Sequence, residues 1–100
     1  MGKKLGIFVS SNRHLDKVIR LCSVAKKEEI EVILFFTHKG ILLTRDPRFS
    51  ELDGLRISVC SVGFESLGLK PPVPGIGDKN YTTQAINAEL IDDCDRYVVF

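Results

Sequence analysis

Long hydrophobic runs are missing from this 100-residue chain. The longest, Val32 to Phe36, falls far short of the ~20 apolar residues that cross a bilayer as a helix, so no membrane-spanning segment is expected. An excess of one charge is missing too. With 14 Lys+Arg against 13 Asp+Glu the formal net charge is +1, and nothing advertises nucleic acid or an anionic membrane as a partner. Cysteine is scarce and odd in number, three in all, which argues against a disulfide framework and for a reducing, cytoplasmic setting. No G-x-G-x-x-G or P-loop string occurs, and no His/Cys/Asp spacing matches a zinc or iron–sulfur site, so neither cofactor nor metal is expected. Ser10-Ser11-Asn12 stands where a turn would cradle a phosphate, but it lacks the glycine that permits close approach. The N-terminus has two lysines before a short apolar run and no small-residue cleavage site, and reads as a first strand rather than a signal peptide.

What is present is an ordinary globular composition, 44% hydrophobic and 27% charged, at a length that holds one core and a single domain, residues 1–100. Apolar runs alternate with helix-period segments, the pattern of a parallel sheet covered on both faces. Leu5 to Val9 reads as strand one. Asn12 is placed to cap a helix whose inner stripe is Leu15, Val18, Ile19, Cys22 and Ala25. Glu31 to Phe36 reads as strand two, Thr37 to Gly40 as a turn, and Ile41 to Leu43 as a short helix that Asp46-Pro47 ends. Arg56 to Cys60 reads as strand three, followed by one or two helical turns from Val62 to Leu67 that Gly68 stops. Residues 70–79 hold three of the four prolines and read as a stiff loop, a candidate lid over 71–77. Thr82 or Thr83 is placed to cap a last helix with Ile86, Leu90 and Ile91 inside, and Tyr97 to Phe100 reads as the last strand.

Right-handed crossovers leave few topologies for this β-α-β-α-β-α-β string. The order 2-1-3-4 is expected, in a mostly parallel sheet with helices on both faces, a three-layer α/β/α fold. Ligands in such sheets bind beyond the carboxyl ends of the strands where the winding reverses. That crevice is expected between strands one and three, with Ser10, Ser11, Asn12, Arg13 and His14 on one wall and Cys60, Ser61, Val62 and Gly63 on the other. His14 and His38 both follow strands at this edge, where a histidine can assist proton transfer or simply be a solvated loop residue.

The three cysteines differ in setting. Cys22 lies on the apolar stripe of the first helix and reads as core. Cys94 sits in Asp92-Asp93-Cys94-Asp95, where carboxylates raise a thiol's pKa and blunt its reactivity. Cys60 ends a predicted strand just before a helix start, where amide dipoles stabilise a thiolate. It is a candidate nucleophile or sulfur carrier, and equally a small core residue at a strand end. Glu65 nearby works against ionisation.

Ile57-Ser58-Val59-Cys60 with the short helical stretch to Leu67-Gly68 resembles the strand and active cysteine of the DsrE/TusD family of sulfur-relay proteins. Cys94-Asp95-Arg96-Tyr97-Val98-Val99-Phe100 is similar to that family's cysteine-aspartate-arginine ending and last strand. Phe35-Phe36 followed by Gly40-Ile41, and Tyr81-Thr82, fit as well. The resemblance implies a DsrE-like α/β fold with flavodoxin-like winding, and oligomers, homotrimers or hexamers or assemblies with related subunits. It implies a sulfurtransferase role in which Cys60 accepts sulfane sulfur as a persulfide from a donor protein and passes it to an acceptor thiol, with no cofactor. The segment after Cys60 departs from relatives that carry arginines there, so activating charge would come from the helix dipole, Arg13, Lys39 or a neighbouring subunit.

Overall fold

The computed structural model describes residues 3–52, 54–69, 81–82, 89 and 92–100. Among them five strands make one sheet: β1 (Lys4–Val9), β2 (Glu31–Phe36), β3 (Arg56–Cys60), β4 (Tyr81–Thr82) and β5 (Arg96–Val99). Every neighbouring pair is parallel. The order is β4-β3-β2-β1-β5, which corrects the expected 2-1-3-4. The second strand lies between the first and third, and the chain keeps winding to one side through β4 before it returns to set β5 beside β1. Hydrocarbon explains the choice of centre. Val32 to Phe36 are all buried, so β2 is apolar on both faces, which only an inner strand can be. The pattern of β5 is exposed at three of four positions, and it takes an edge.

Helix α1 (Leu15–Lys27) buries Leu15, Val18, Cys22 and Ala25, the stripe read from spacing, and packs on β2. Its N-cap is His14 rather than Asn12, and no side chain caps it. Asn12 is exposed, while Ser11 Oγ accepts the Arg13 amide at 3.2 Å. After β2 come two 3-10 helices, η1 (His38–Arg45) and η2 (Pro47–Leu52). Pro47 does end the first segment but also opens a second, which the sequence reading missed. Proline suits a first helical position because its absent N–H would be unbonded there. Asp46 caps η2, accepting the Arg48 amide at 2.9 Å. Phe49 and Leu52 go inward, with Phe49 edge-on to Phe36 at 5.5 Å. Helix α2 (Ser61–Ser66) ends before Gly68, whose φ of +73° is a conformation that glycine adopts without strain.

Tyr81 and Thr82, expected to open the last helix, form β4 and pair with Val59 and Cys60. The expected loop at 70–79, its lid at 71–77, and the inner positions Ile86, Leu90 and Ile91 lie outside the described residues. No helix among the described residues is long and apolar enough to cross a membrane.

Candidate functional site

The expected site residues gather along the carboxyl edge of the sheet, but the crevice between strands one and three does not exist as drawn, because β2 and its outgoing chain fill that space. Thr37 N–H donates to Val9 O at 3.0 Å, and Gly40 N–H donates to Ser10 O at 3.2 Å. A side chain at position 40 would collide with the Val9 carbonyl. This close approach requires glycine and locks η1 onto the end of β1. On its other side η1 meets α2, where Ile41 Cδ1 would lie 2.7 Å from a Cβ at Gly63. Thus η1 is a wedge, with the Ser10–His14 loop on one flank and Cys60, Ser61 and Gly63 on the other.

The winding reverses between β1 and β5, so the ligand-binding position expected of an open parallel sheet moves there. Ser10, Ser11 and Phe100 close it. Ser10 N–H, Ser11 N–H and Ser10 Oγ all donate to Phe100 O, at 2.8, 3.2 and 3.0 Å. His14 is half-buried beside the Phe100 ring, centroids 6.2 Å apart. His38, at the start of η1, is exposed and carries a left-handed φ of +49°.

Cys60 is the N-cap of α2, as its position at a strand end before a helix predicted. Its sulfur would lie 3.7 Å from a Cβ at Gly63, so it leans over the first turn. Cys60 is only 6% exposed and its side chain makes no cap hydrogen bond, so its burial is that of the other expected reading, a small core residue at a strand end. Ile41, Val59 and Phe64, at 0, 0 and 2% exposure, belong to the same core, and hydrocarbon rather than water surrounds this end of β3. The Phe64 ring sits edge-on to Tyr81, centroids 5.1 Å apart. Arg13, Lys39 and Glu65 are exposed.

Sequence reasoning missed Thr82. It stands opposite Cys60 in the parallel register, and its Oγ1 is sealed from solvent with no hydrogen-bond partner among the described residues. A buried hydroxyl left unbonded costs about 1–3 kcal/mol. The signal was legible: Tyr81-Thr82-Thr83 is a run of aromatic and β-branched residues, which favours a strand over a helix start.

The other two thiols are quieter. Burial pushes the Cys22 thiol up to about 11. Cys94 is half-buried against Gly6, and its pKa is raised first by burial, then by Asp93 and, more weakly, Asp95, with Lys4 opposing. Arg48 pairs with Asp46 at 3.1 Å. Among the described residues no group of three His, Cys, Asp or Glu side chains is disposed to hold a metal.

An open groove of about 860 Å³ lies at the opposite, amino end of β2 and β3, lined among others by Ile19, Cys22, Ile30, Glu31, Leu55 and Arg56. It holds none of the expected site residues, and burial keeps its one thiol, Cys22, protonated. Chemistry-bearing residues therefore place the candidate site at the carboxyl edge, away from this groove. In comparison with known proteins, no family model matches the chain, and no curated protein matches it either.

Proposed function

We propose that the chain is a cytoplasmic sulfur carrier of the DsrE type, relaying sulfane sulfur as a persulfide on Cys60 from a donor protein to an acceptor thiol. The supporting observation is the setting of Cys60: it caps α2 at the end of an inner strand, whereas Cys22 lies under a helix and Cys94 among carboxylates. In the relay, the Cys60 thiolate attacks the outer sulfur of a donor persulfide R–S–SH. The donor S–S bond breaks, a new S–S bond forms on Cys60, and R–S⁻ leaves. Because the sulfur is sealed, exchange requires α2 to lift, which draws Phe64, 2% exposed, out of the core. The finer fold that goes with this reading is a three-layer α/β/α sandwich, supported by the burial of both faces of β2, in an oligomer of like subunits.

A second reading is favoured by the 6% exposure of Cys60: a non-catalytic binding or assembly subunit that holds a small anionic or nucleotide-like ligand, now at the β1–β5 reversal. The two separate on one experiment. The protein is incubated with glutathione persulfide, freed of excess donor, and examined by peptide mass spectrometry. The relay predicts the added mass of one sulfur on the Cys60 peptide, abolished in Cys60→Ser. An unloaded Cys60, or sulfur uptake unchanged in Cys60→Ser, removes the relay and leaves the second reading.

A further inference from the structure

We propose that Thr82 is a positioning residue for the sulfur carried on Cys60, its hydroxyl donating a hydrogen bond to the outer atom of the persulfide; this rests on the relay reading above. Residues paired across parallel strands project from the same face of the pleat, with strands ~4.8 Å apart, and Cys60 and Thr82 are such a pair. The Thr82 oxygen is sealed and has no hydrogen-bond partner among the described residues. Buried polar groups in folded proteins are nearly always bonded, and an exception calls for a reason. Here the reason is an acceptor that arrives with the cargo.

Loading lengthens the Cys60 side chain by one sulfur atom. Toward α2 that growth is blocked, because Gly63 and Ile41 Cδ1 already meet there. Toward β4 stands Thr82, its partner in the parallel register. Once R–S⁻ has left, it takes the proton of the new persulfide, giving R–SH and an ionised outer sulfur on Cys60. A hydrogen bond to that anion is charge-assisted and stronger than one to a neutral thiol. The same hydrocarbon that hides the thiol then shields the loaded sulfur from water, and Thr82 is what makes the sealed site polar enough to hold it.

The test uses the full chain loaded with glutathione persulfide, following the decay of the added sulfur on the Cys60 peptide by mass spectrometry in wild type, Thr82→Val and Thr82→Ser. Thr82→Ser keeps the hydroxyl and is expected to match the wild type. Thr82→Val is expected to lose sulfur roughly tenfold faster, the effect of one bond to a charged group, while its thermal midpoint stays level or rises because an unbonded hydroxyl is gone. A wild type that loads with Thr82→Val decaying at the same rate overturns this inference and leaves the relay standing. Equal acceleration in both variants also overturns it, since packing rather than the hydroxyl is then responsible. A wild type with no sulfur on Cys60 overturns the relay and, with it, this inference.

Discussion

The two ends of the sheet are built differently. At the carboxyl end, three segments interlock through glycine contacts: Gly40 against the Val9 carbonyl and Gly63 against Ile41. At the amino end the strands open into a charged-rimmed groove lined in part by Lys26, Glu31, Glu51 and Arg56. The residues with chemical potential sit at the interlocked end, and the groove is lined by ordinary surface and core residues. A cysteine, a histidine pair and an orphan hydroxyl gather at the packed end because parallel strands deliver their outgoing loops there.

The sharpest way to break this contrast is to add a methyl group at the packed end. In Gly40→Ala the new carbon strikes main-chain atoms of Val9, which have no rotamer to escape into, and a loss of about 3 kcal/mol or more is expected by denaturant unfolding. In Gly63→Ala it strikes the far end of the Ile41 side chain, which can turn, so the expected loss is smaller, about 1–2 kcal/mol. Equal, small losses at both positions would show the carboxyl end to be loosely joined.

Thiol chemistry sharpens the comparison next. Cys22 lines the groove yet is 5% exposed, and its thiol is pushed from 9.0 up to about 11. At neutral pH it therefore holds about a hundredfold less thiolate than an unperturbed thiol. Iodoacetamide is expected to modify it at least that much more slowly in the native protein than in denaturant, with a rate that climbs as pH rises toward 11. Native labelling of Cys22 at the denatured rate would show the groove floor to be open.

The smallest effect is at the amino end of β1. Lys4 Nζ pairs with Asp93 at 2.9 Å, and its main-chain amide donates to Asp95 at 2.7 Å. The hydrogen bond from Lys4 holds the Asp93 carboxyl below its usual range. A depressed carboxyl pKa adds stability above the unfolded value of about 3.9, and that stability fades as pH falls through the folded one. Lys4 is raised, first by its bond to Asp93, so the pair's alkaline limit comes only as pH climbs through that raised value. Both groups face solvent, so Lys4→Met is expected to lower the thermal midpoint slightly at neutral pH and to converge with the wild type in acid. A difference that persists in acid would assign the effect to packing of the lysine stem.

Much of the local structure was legible because it follows from nearest neighbours along the chain. The inner stripe of α1 falls at helical spacing, and Val32 to Phe36 could only be a buried strand. The stop at Gly68 and the break at Pro47 follow from backbone stereochemistry. Strand order was not legible from crossover handedness alone, since right-handed connections permit winding to either side. The uninterrupted apolarity of β2 against the half-exposed β5 was the better signal, because burial on both faces selects the centre. The two-residue β4 was misread because a strand that short is defined by its partner, not by its own pattern.

For the candidate site, the chain's own pattern settled which cysteine stands at a strand end before a helix, since that depends on residue order and local conformation. Whether the sulfur meets water, and that Thr82 rather than a serine of the first loop stands beside it, depended on which segments pack over β3. Those contacts join residues far apart along the chain, through the wedge of η1 and the pairing of β3 with β4, and burial at a strand end is decided by such distant neighbours and not by the residue itself.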